Sequence, residues 1–392
     1  MPDPLAFCAD ELLALEQAGL FRNLRTLEGA QEPVVKVDGE ELLLFASNNY
    51  LGLAHDPRVC ESVAYAAYRW GASAGAAPLV TGHMDAHAAL EKHLARFKGT
   101  EDCVVFSSGY LANLSMGTFV RQGDAVFSDA RNHASIIDGC RLSRAQVFVY
   151  PHQDVNDLET QLAGWRQGQG HAHKRALVVT DSVFSMDGDL APLAKIFDVC
   201  QRHGAMLWVD EAHATGVVGE AGRGAVAHFG LSGKVHMLMG TLSKSLGSSG
   251  GFICGSRDLC DLLRNRARPF MFDTALPPTS VAAAQTAPQI LQEEPQRASR
   301  VRELAHRLAT GFREAGWQLA VPEPAAGIVP ILIGESEPAM HHMKRLRTQG
   351  ILVPAIRPPA VPPDTARLRV TVTASHNEAQ VDRLIKAMGR AP

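Results

Sequence analysis

The 392-residue sequence has no long apolar run, no block of one charge sign and no cysteine pair at redox or metal spacing, and each absence removes a class of function. No apolar stretch reaches the roughly 20 residues that a membrane-spanning helix needs. The opening Met1-Pro2-Asp3-Pro4-Leu5-Ala6-Phe7-Cys8 lacks the basic start and apolar core of a secretory signal, so the sequence predicts a cytoplasmic protein with no membrane partner. Thirty-eight basic against 41 acidic residues leave a net charge of -3, without the basic excess that nucleic-acid binding requires. Seven cysteines, odd in number and scattered, predict reduced and mostly buried thiols rather than a disulfide framework. No internal repeat argues for a solenoid.

Histidine is not scarce, with 16 copies. His83 and His87 have the four-residue spacing of a helical ligand pair, but Met84-Asp85-Ala86 between them offers no zincin glutamate, so a polar helix start is expected there and no metal. His171 and His173, after Gly168-Gln169-Gly170, read as loop histidines.

Hydrophobic residues make up 46% of the chain, ordinary for a globular protein of one large core or two moderate ones. Between residues 102 and 256, short β-rich runs alternate with helix-like segments. The runs are Cys103-Val104-Val105-Phe106, Ala125-Val126-Phe127, Val147-Phe148-Val149-Tyr150, Ala176-Leu177-Val178-Val179, and three ending at Val209, Met239 and Ile253. This pattern predicts an α/β fold with a mostly parallel, seven-stranded sheet and crossover helices. Beyond Pro277-Pro278, a strongly helical region over 279–315 precedes strands near Ile328 and Leu368, which predicts a smaller C-terminal α+β domain.

Two of the buried runs end in chemistry. Ala205-Met206-Leu207-Trp208-Val209 gives way abruptly to Asp210, Glu211 and His213, and in open α/β sheets ligands gather at such strand ends. Val235-His236-Met237-Leu238-Met239 gives way to Gly240-Thr241-Leu242-Ser243-Lys244-Ser245-Leu246-Gly247. Alone, the second segment is equally a glycine-rich surface turn with an ordinary lysine. Together they supply what a Schiff-base enzyme needs: a lysine to anchor pyridoxal 5'-phosphate (PLP) and a carboxylate to keep its ring nitrogen protonated.

From about Arg22 onward the chain resembles the α-oxoamine synthases, a family of fold-type-I PLP-dependent transferases. Beside the two segments above, the resemblance rests on Ser47-Asn48-Asn49-Tyr50-Leu51-Gly52-Leu53, Ser107-Ser108-Gly109-Tyr110-Leu111-Ala112-Asn113 and Asn132-His133-Ala134-Ser135. It continues in Asp181-Ser182-Val183-Phe184-Ser185-Met186-Asp187-Gly188-Asp189, Ala355-Ile356-Arg357-Pro358-Pro359 and Arg367-Leu368-Arg369-Val370-Thr371. The resemblance implies a large PLP-binding domain over 46–285 and a small domain over 286–392. Residues 1–45 would pack with the small domain.

It also implies roles. Lys244 would anchor the cofactor and then act as the proton-transferring base, with Asp210 on the ring nitrogen and His213 and Ser185 on the phenolic oxygen. His133 would stack on the ring. Gly109, Tyr110 and Thr241 would receive the phosphate, with Thr274 reaching the phosphate of a neighbouring subunit in a homodimer with shared sites. Asn48 and Arg369 would hold the substrate carboxylate, and Arg22 and Arg357 the acyl thioester or its distal carboxylate. The implied reaction is decarboxylative condensation of L-alanine with an acyl thioester, pimeloyl-CoA or a pimeloyl carrier protein, in biotin biosynthesis. Met186-Asp187-Gly188-Asp189 and Ala355-Ile356-Arg357 favour that branch. Its siblings act on glycine with acetyl or succinyl donors, or on long acyl chains, and a non-catalytic partner subunit is the remote alternative. Three departures from the family pattern stand out: Ala76-Ala77-Pro78 in place of a hydroxyl and a cation near the implied substrate channel, Asp273 beside Thr274, where it would put negative charge near a phosphate, and Ala360 in place of a threonine.

Overall fold

A computed structural model of the chain describes residues 3–168 and 173–391; His171 lies outside the described residues. In chain order the strands are β1 (Leu27–Glu28), β2 (Val34–Val37), β3 (Glu40–Leu44), β4 (Asp102–Phe106), β5 (Ala125–Asp129), β6 (Gln146–Tyr150) and β7 (Ala176–Asp181). They continue with β8 (Met206–Asp210), β9 (Met237–Thr241), β10 (Gly251–Gly255), β11 (Ile328–Gly334), β12 (Ile351–Leu352), β13 (Ala355–Ile356) and β14 (Ala366–Thr371).

Seven of them form the main sheet, in the order β4-β10-β9-β8-β7-β5-β6. Pairings from β6 to β9 are parallel, whereas β10 runs antiparallel to both neighbours. Strands covered on both faces read as continuous apolar runs, because successive side chains enter opposite layers. Leu177, Val179, Trp208, Met237 and Met239 face one buried layer. Val178, Leu207, Val209 and Leu238 face the other. Each such burial contributes about 1.5–3 kcal/mol, and together they fix the strand ends that carry the polar residues.

Two smaller sheets lie outside the main one, ordered β1-β2-β3-β12 and β11-β14-β13. In the first, the N-terminal β3 pairs in parallel with β12, Leu43 opposite Ile351, so the first part of the chain joins a strand from the last third.

One element boundary differs from expectation. The strand expected from Val235 begins at Met237 and includes Gly240 and Thr241. The helical stretch over 279–315 is two helices, Pro278–Glu293 and Gln296–Glu314. The break falls at Pro295, which has no N–H to continue the ladder.

The His83 and His87 pair does open a helix, Asp85–Lys98, but His87 is buried. Its Nδ1 accepts from the Met84 amide at 3.2 Å and its Nε2 bonds Leu276 O at 2.7 Å, while His83 pairs with Glu91. Among the described residues no group of His, Cys, Asp or Glu is arranged to hold a metal, and no helix is long and apolar enough to cross a membrane. Five cysteines are buried, Cys8 and Cys60 are exposed, and all seven are free thiols.

Candidate active site

The polar ends of β7, β8 and β9 lie side by side, with Asp181 in register with Asp210. Asp210 is buried, and neutral donors hold its carboxylate: Asn113 Nδ2 at 2.7 Å and the Ala212 amide at 2.8 Å. Asn113 also donates to Ser135 Oγ and accepts from the Trp208 indole, so the acid is fixed by a satisfied network. Glu211 takes the opposite direction. Its carboxylate meets Lys98 Nζ at 2.7 Å, and both side chains are wholly buried. Thr215 Oγ1 and Arg223 O accept the other ammonium protons, and the Val226 amide donates to Glu211. Adjacent carboxylates therefore differ: Glu211 is neutralised inside the core, and among the described residues no cation is in direct contact with Asp210.

After β9 the chain doubles back, with the Leu242 amide on Gly250 O and the Ser248 amide on Leu242 O. Gly247, at φ +60°, sits where a Cβ would come within 2.7 Å of the backbone at Leu53 and Ala54. This tight fold presents Lys244 to the strand ends. Lys244 Nζ lies 2.8 Å from His213 Nε2, and His213 Nδ1 lies 2.8 Å from Tyr50 Oη. Tyr50 Oη is 3.2 Å from Asn48 Oδ1, which also accepts from Arg369 at 3.4 and 3.5 Å. One assignment satisfies the chain: lysine donates to Nε2, Nδ1–H donates to tyrosine, and tyrosine donates to the amide oxygen.

The electrostatics agree with that neutral histidine. Burial, then the Lys244 and Arg369 charges, hold His213 well below its ordinary pKa. Burial is also the main reason that the Lys244 amine falls to about 8, with Asp210 and Asp181 opposing and Arg369 reinforcing the shift. Arg369 is itself buried, and its Nε donates to Ser185 O at 2.5 Å.

Beside Lys244, the helix Gly109–Leu114 starts against β9 and β10. Ser108 Oγ caps the Leu111 amide and Ser108 O accepts from Ala112, which leaves the first-turn amides of Gly109 and Tyr110 without intrahelical acceptors. A Cβ at Gly251 would come within 2.5 Å of Gly109 Cα, so glycine lets the helix start press onto β10. Thr241 Oγ1 is bonded to Ser243 Oγ and Gly250 O at that spot. His133 caps the helix Ala134–Ser143 with an exposed ring, its amide held by Asp181 Oδ2 at 2.8 Å.

This donor set fits PLP: an amine of lowered basicity, helix-start amides with a hydroxyl for a phosphate, a carboxylate free of cations for a ring nitrogen, and an exposed imidazole for a ring face. Lys244, His213, Asn48, Arg369 and Ser185 are linked by contacts, and Gly109, Tyr110 and Thr241 gather at the helix start. The Tyr110 hydroxyl itself points to Asp138. Thr274 is exposed next to Asp273, whose carboxylate accepts from Ser107. Arg22 and Arg357 line a separate cleft of about 690 Å³ that also includes Met186, the neighbour of Ser185. Sequence reasoning missed Tyr50, Asn113 and Asp181. All three lie inside the segments that carry the family resemblance, and Asp181 alone had a local signal, a carboxylate closing the apolar run of β7.

The class I and II aminotransferase family model matches residues 40–388. The chain is similar to an 8-amino-7-oxononanoate synthase of Geobacter sulfurreducens, at 48% identity over 97% of each chain. It is similar in structure to serine palmitoyltransferase from S. paucimobilis, solved with a bound PLP-myriocin aldimine, with TM-score 0.91 and 32% identity over 98% and 97% of the two chains. It is also similar to the 8-amino-7-oxononanoate synthase of Francisella tularensis, with TM-score 0.76 and 25% identity over 88% and 96%.

Proposed function

The chain belongs to the class I and II aminotransferase family, and we propose that this member condenses L-alanine with a pimeloyl thioester, releasing CO2 and free thiol, to form 8-amino-7-oxononanoate for biotin biosynthesis. The family's PLP-dependent acyltransferases share its fold, and PLP is its cofactor. The observation that carries the reading is the unbroken hydrogen-bond chain from Lys244 through His213, Tyr50 and Asn48 to Arg369. It joins a base to a carboxylate-binding cation, as chemistry at the α-carbon of an amino acid requires.

Bound at this site, PLP supplies the electron sink that makes both removal of the α-proton and loss of CO2 from that carbon accessible. Lys244 would anchor the cofactor and then take the α-proton on Nζ, and its amine, lowered to about 8, is matched to that task near neutral pH. His213 Nε2 orients that amine. Asp210, held by Asn113, would face the ring nitrogen, and His133 would cover the ring. Ser185 and His213 would bond the phenolic oxygen, and Gly109, Tyr110 and Thr241 the phosphate. Arg369 and Asn48 would hold the alanine carboxylate, Arg22 and Arg357 the acyl donor.

A homodimer with shared sites belongs to the same reading. Leu79, Val80 and Phe272 are exposed apolar side chains on the segments flanking Thr274, which would reach the phosphate of the partner subunit. We place the protein in the cytoplasm, where its free thiols stay reduced. We keep the division into 46–285 and 286–392 as part of the same reading, although its boundary falls within the helix Pro278–Glu293, and join 1–45 to the smaller part, which the β3–β12 pairing supports.

The serine palmitoyltransferase likeness marks the second reading, a long acyl chain on L-serine, supported by the wide overlap of the two folds. Mass spectrometry of the product from L-alanine and pimeloyl thioester decides between them. Formation of 8-amino-7-oxononanoate is expected; turnover only with L-serine and a long-chain thioester would replace the first reading by the second.

A further inference from the structure

Three segments that carry site residues each carry a charged residue two positions away: Arg131 before His133, Asp187 after Ser185, and Arg367 before Arg369. The three charges meet. Asp187 Oδ2 accepts from Arg131 Nη1 at 3.0 Å, and Asp187 Oδ1 pairs with Arg367 Nη1. Asp187 and Arg367 are buried, and Arg131 closes the solvent side. The guanidinium Nε of Arg367 donates to Thr365 O at 3.0 Å.

The geometry transmits to the site through short, stiff paths. Residues 367 and 369 point to the same face of β14, so the group that pins one sets the rotation of the strand at the other. Residues 182–190 form a hairpin, with Val183 bridged to Leu190 and the Phe184 amide on Asp189 O. Gly188, at φ +75°, lets that hairpin press onto β11, since a Cβ there would lie 2.8 Å from Ile328 O. From the same hairpin Ser185 O accepts from Arg369, and from the third segment the His133 amide reaches Asp181.

We propose that Asp187 is a positioning residue, which with Arg131 and Arg367 forms a charge triad that sets His133, Ser185 and Arg369 at one mutual spacing. This rests on the reading that Arg369 binds the substrate carboxylate. A displacement of about 1 Å at a reacting centre can lower turnover by about a hundredfold, so a clamp of this kind acts on catalysis without touching substrate.

The test uses the PLP-loaded enzyme and the variants Asp187→Asn, Arg367→Met, Arg367→Lys and Arg131→Met. Amino-acid Kd is read from the change in cofactor absorbance on titration, beside kcat, the KM for the thioester and Tm. Asp187→Asn and Arg367→Met are each expected to weaken L-alanine binding by about tenfold or more, with the thioester KM held within about twofold. The double variant should bind L-alanine no more than about twofold worse than the weaker single, because both changes break one unit. Arg367→Lys should recover most of the loss, and Arg131→Met should lower kcat more than it weakens L-alanine binding. A lowered Tm with L-alanine Kd within about twofold of wild type in both Asp187→Asn and Arg367→Met would overturn the proposal. If Asp187→Asn does not fold, the Arg367→Met and Arg367→Lys pair decides alone. Glycine and L-serine are titrated in parallel. A wild type that binds one of them in place of L-alanine overturns the substrate reading, and the variants are then compared on that amino acid.

Discussion

The inner wall of the site and the outer cleft are built differently. Asp210, His213 and Lys244 come from or just beyond strand ends of the main sheet, and each has a bonded partner. The outer cleft is assembled from residues 20–25, the segment around Arg357 and the helix Ser336–Thr348. There Arg22 is exposed, Leu24 is 100% exposed, and the polar ties lie at the surface: Arg357 Nη1 to Gly19 O, Arg25 to Met343 Sδ, and Arg347 to Asp38 and Glu40. The difference separates two functions. Groups that move protons are held by a core whose burial fixes them, whereas groups that would select an acyl chain sit on segments with little to hold them. Substitutions inside should therefore act on kcat and stability, and substitutions outside on the KM of one substrate.

The largest effect is expected from Lys244→Ala. Removing the amine takes away both the anchor and the base, and loss of a positioned general base alone lowers turnover by about 10²–10⁴. Steady-state kcat should fall by at least about 10⁴ with the thioester KM little changed. A residual rate within about tenfold of wild type would place the base elsewhere and break the inner half of the comparison.

Next comes Lys98→Met, which strands the Glu211 carboxylate inside the core. Breaking a buried pair from one side destabilises by about 3–5 kcal/mol. Urea unfolding should show a loss of that size, and because Glu211 adjoins Asp210, kcat should fall as well. An unchanged unfolding midpoint would mean that the core does not depend on this pair to hold the strand end.

The inner wall was also the more legible region in the sequence. Its strands are buried on both faces, so they appear as unbroken apolar runs, and the switch to Asp210 marks where the sheet stops. Lys244 followed from the same switch at β9. What escaped were residues whose role is set by contacts across the chain. Tyr50 is 163 positions from His213, and Asn113 is 97 positions from Asp210. No local period reports such pairs. The helical character of 279–315 was legible, and Pro295, which ends the hydrogen-bond ladder, marks where it divides into two helices. Arg22 and Arg357 followed only from family resemblance, since an exposed arginine carries no periodic signature.

A smaller effect tests whether charge also holds the hairpin that bears Ser185. His152 lies between Asp129, at 2.9 Å, and Asp189, at 2.7 Å. Burial disfavours its cation, but the two carboxylates prevail and raise it from 6.5 to about 9. A pKa raised on folding stabilises the native state fully below the unfolded value of about 6.5, and that contribution is lost as pH rises through about 9. A shift of this size corresponds to on the order of 3 kcal/mol. Unfolding free energies from urea titrations at about pH 6 and about pH 10 should differ by less in His152→Gln than in wild type, by roughly that amount. An identical pH dependence in the two proteins would show that the imidazolium does not anchor the hairpin.

The smallest expected effect belongs to the outer cleft. In Arg357→Ala the tie to Gly19 O is lost, along with a cation for the acyl donor, while no bond to the Lys244 network is touched. Losing one exposed charged contact corresponds to about 1 kcal/mol, so the thioester KM should rise by about five- to tenfold. Uniform binding is what disappears, hence kcat and the L-alanine KM should stay at wild-type values. The diagnostic is the pairing of those constants rather than the size of either. If kcat fell in step with kcat/KM, Arg357 would be acting in the transition state, and the outer cleft would have to be counted as part of the reacting machinery despite its exposed construction.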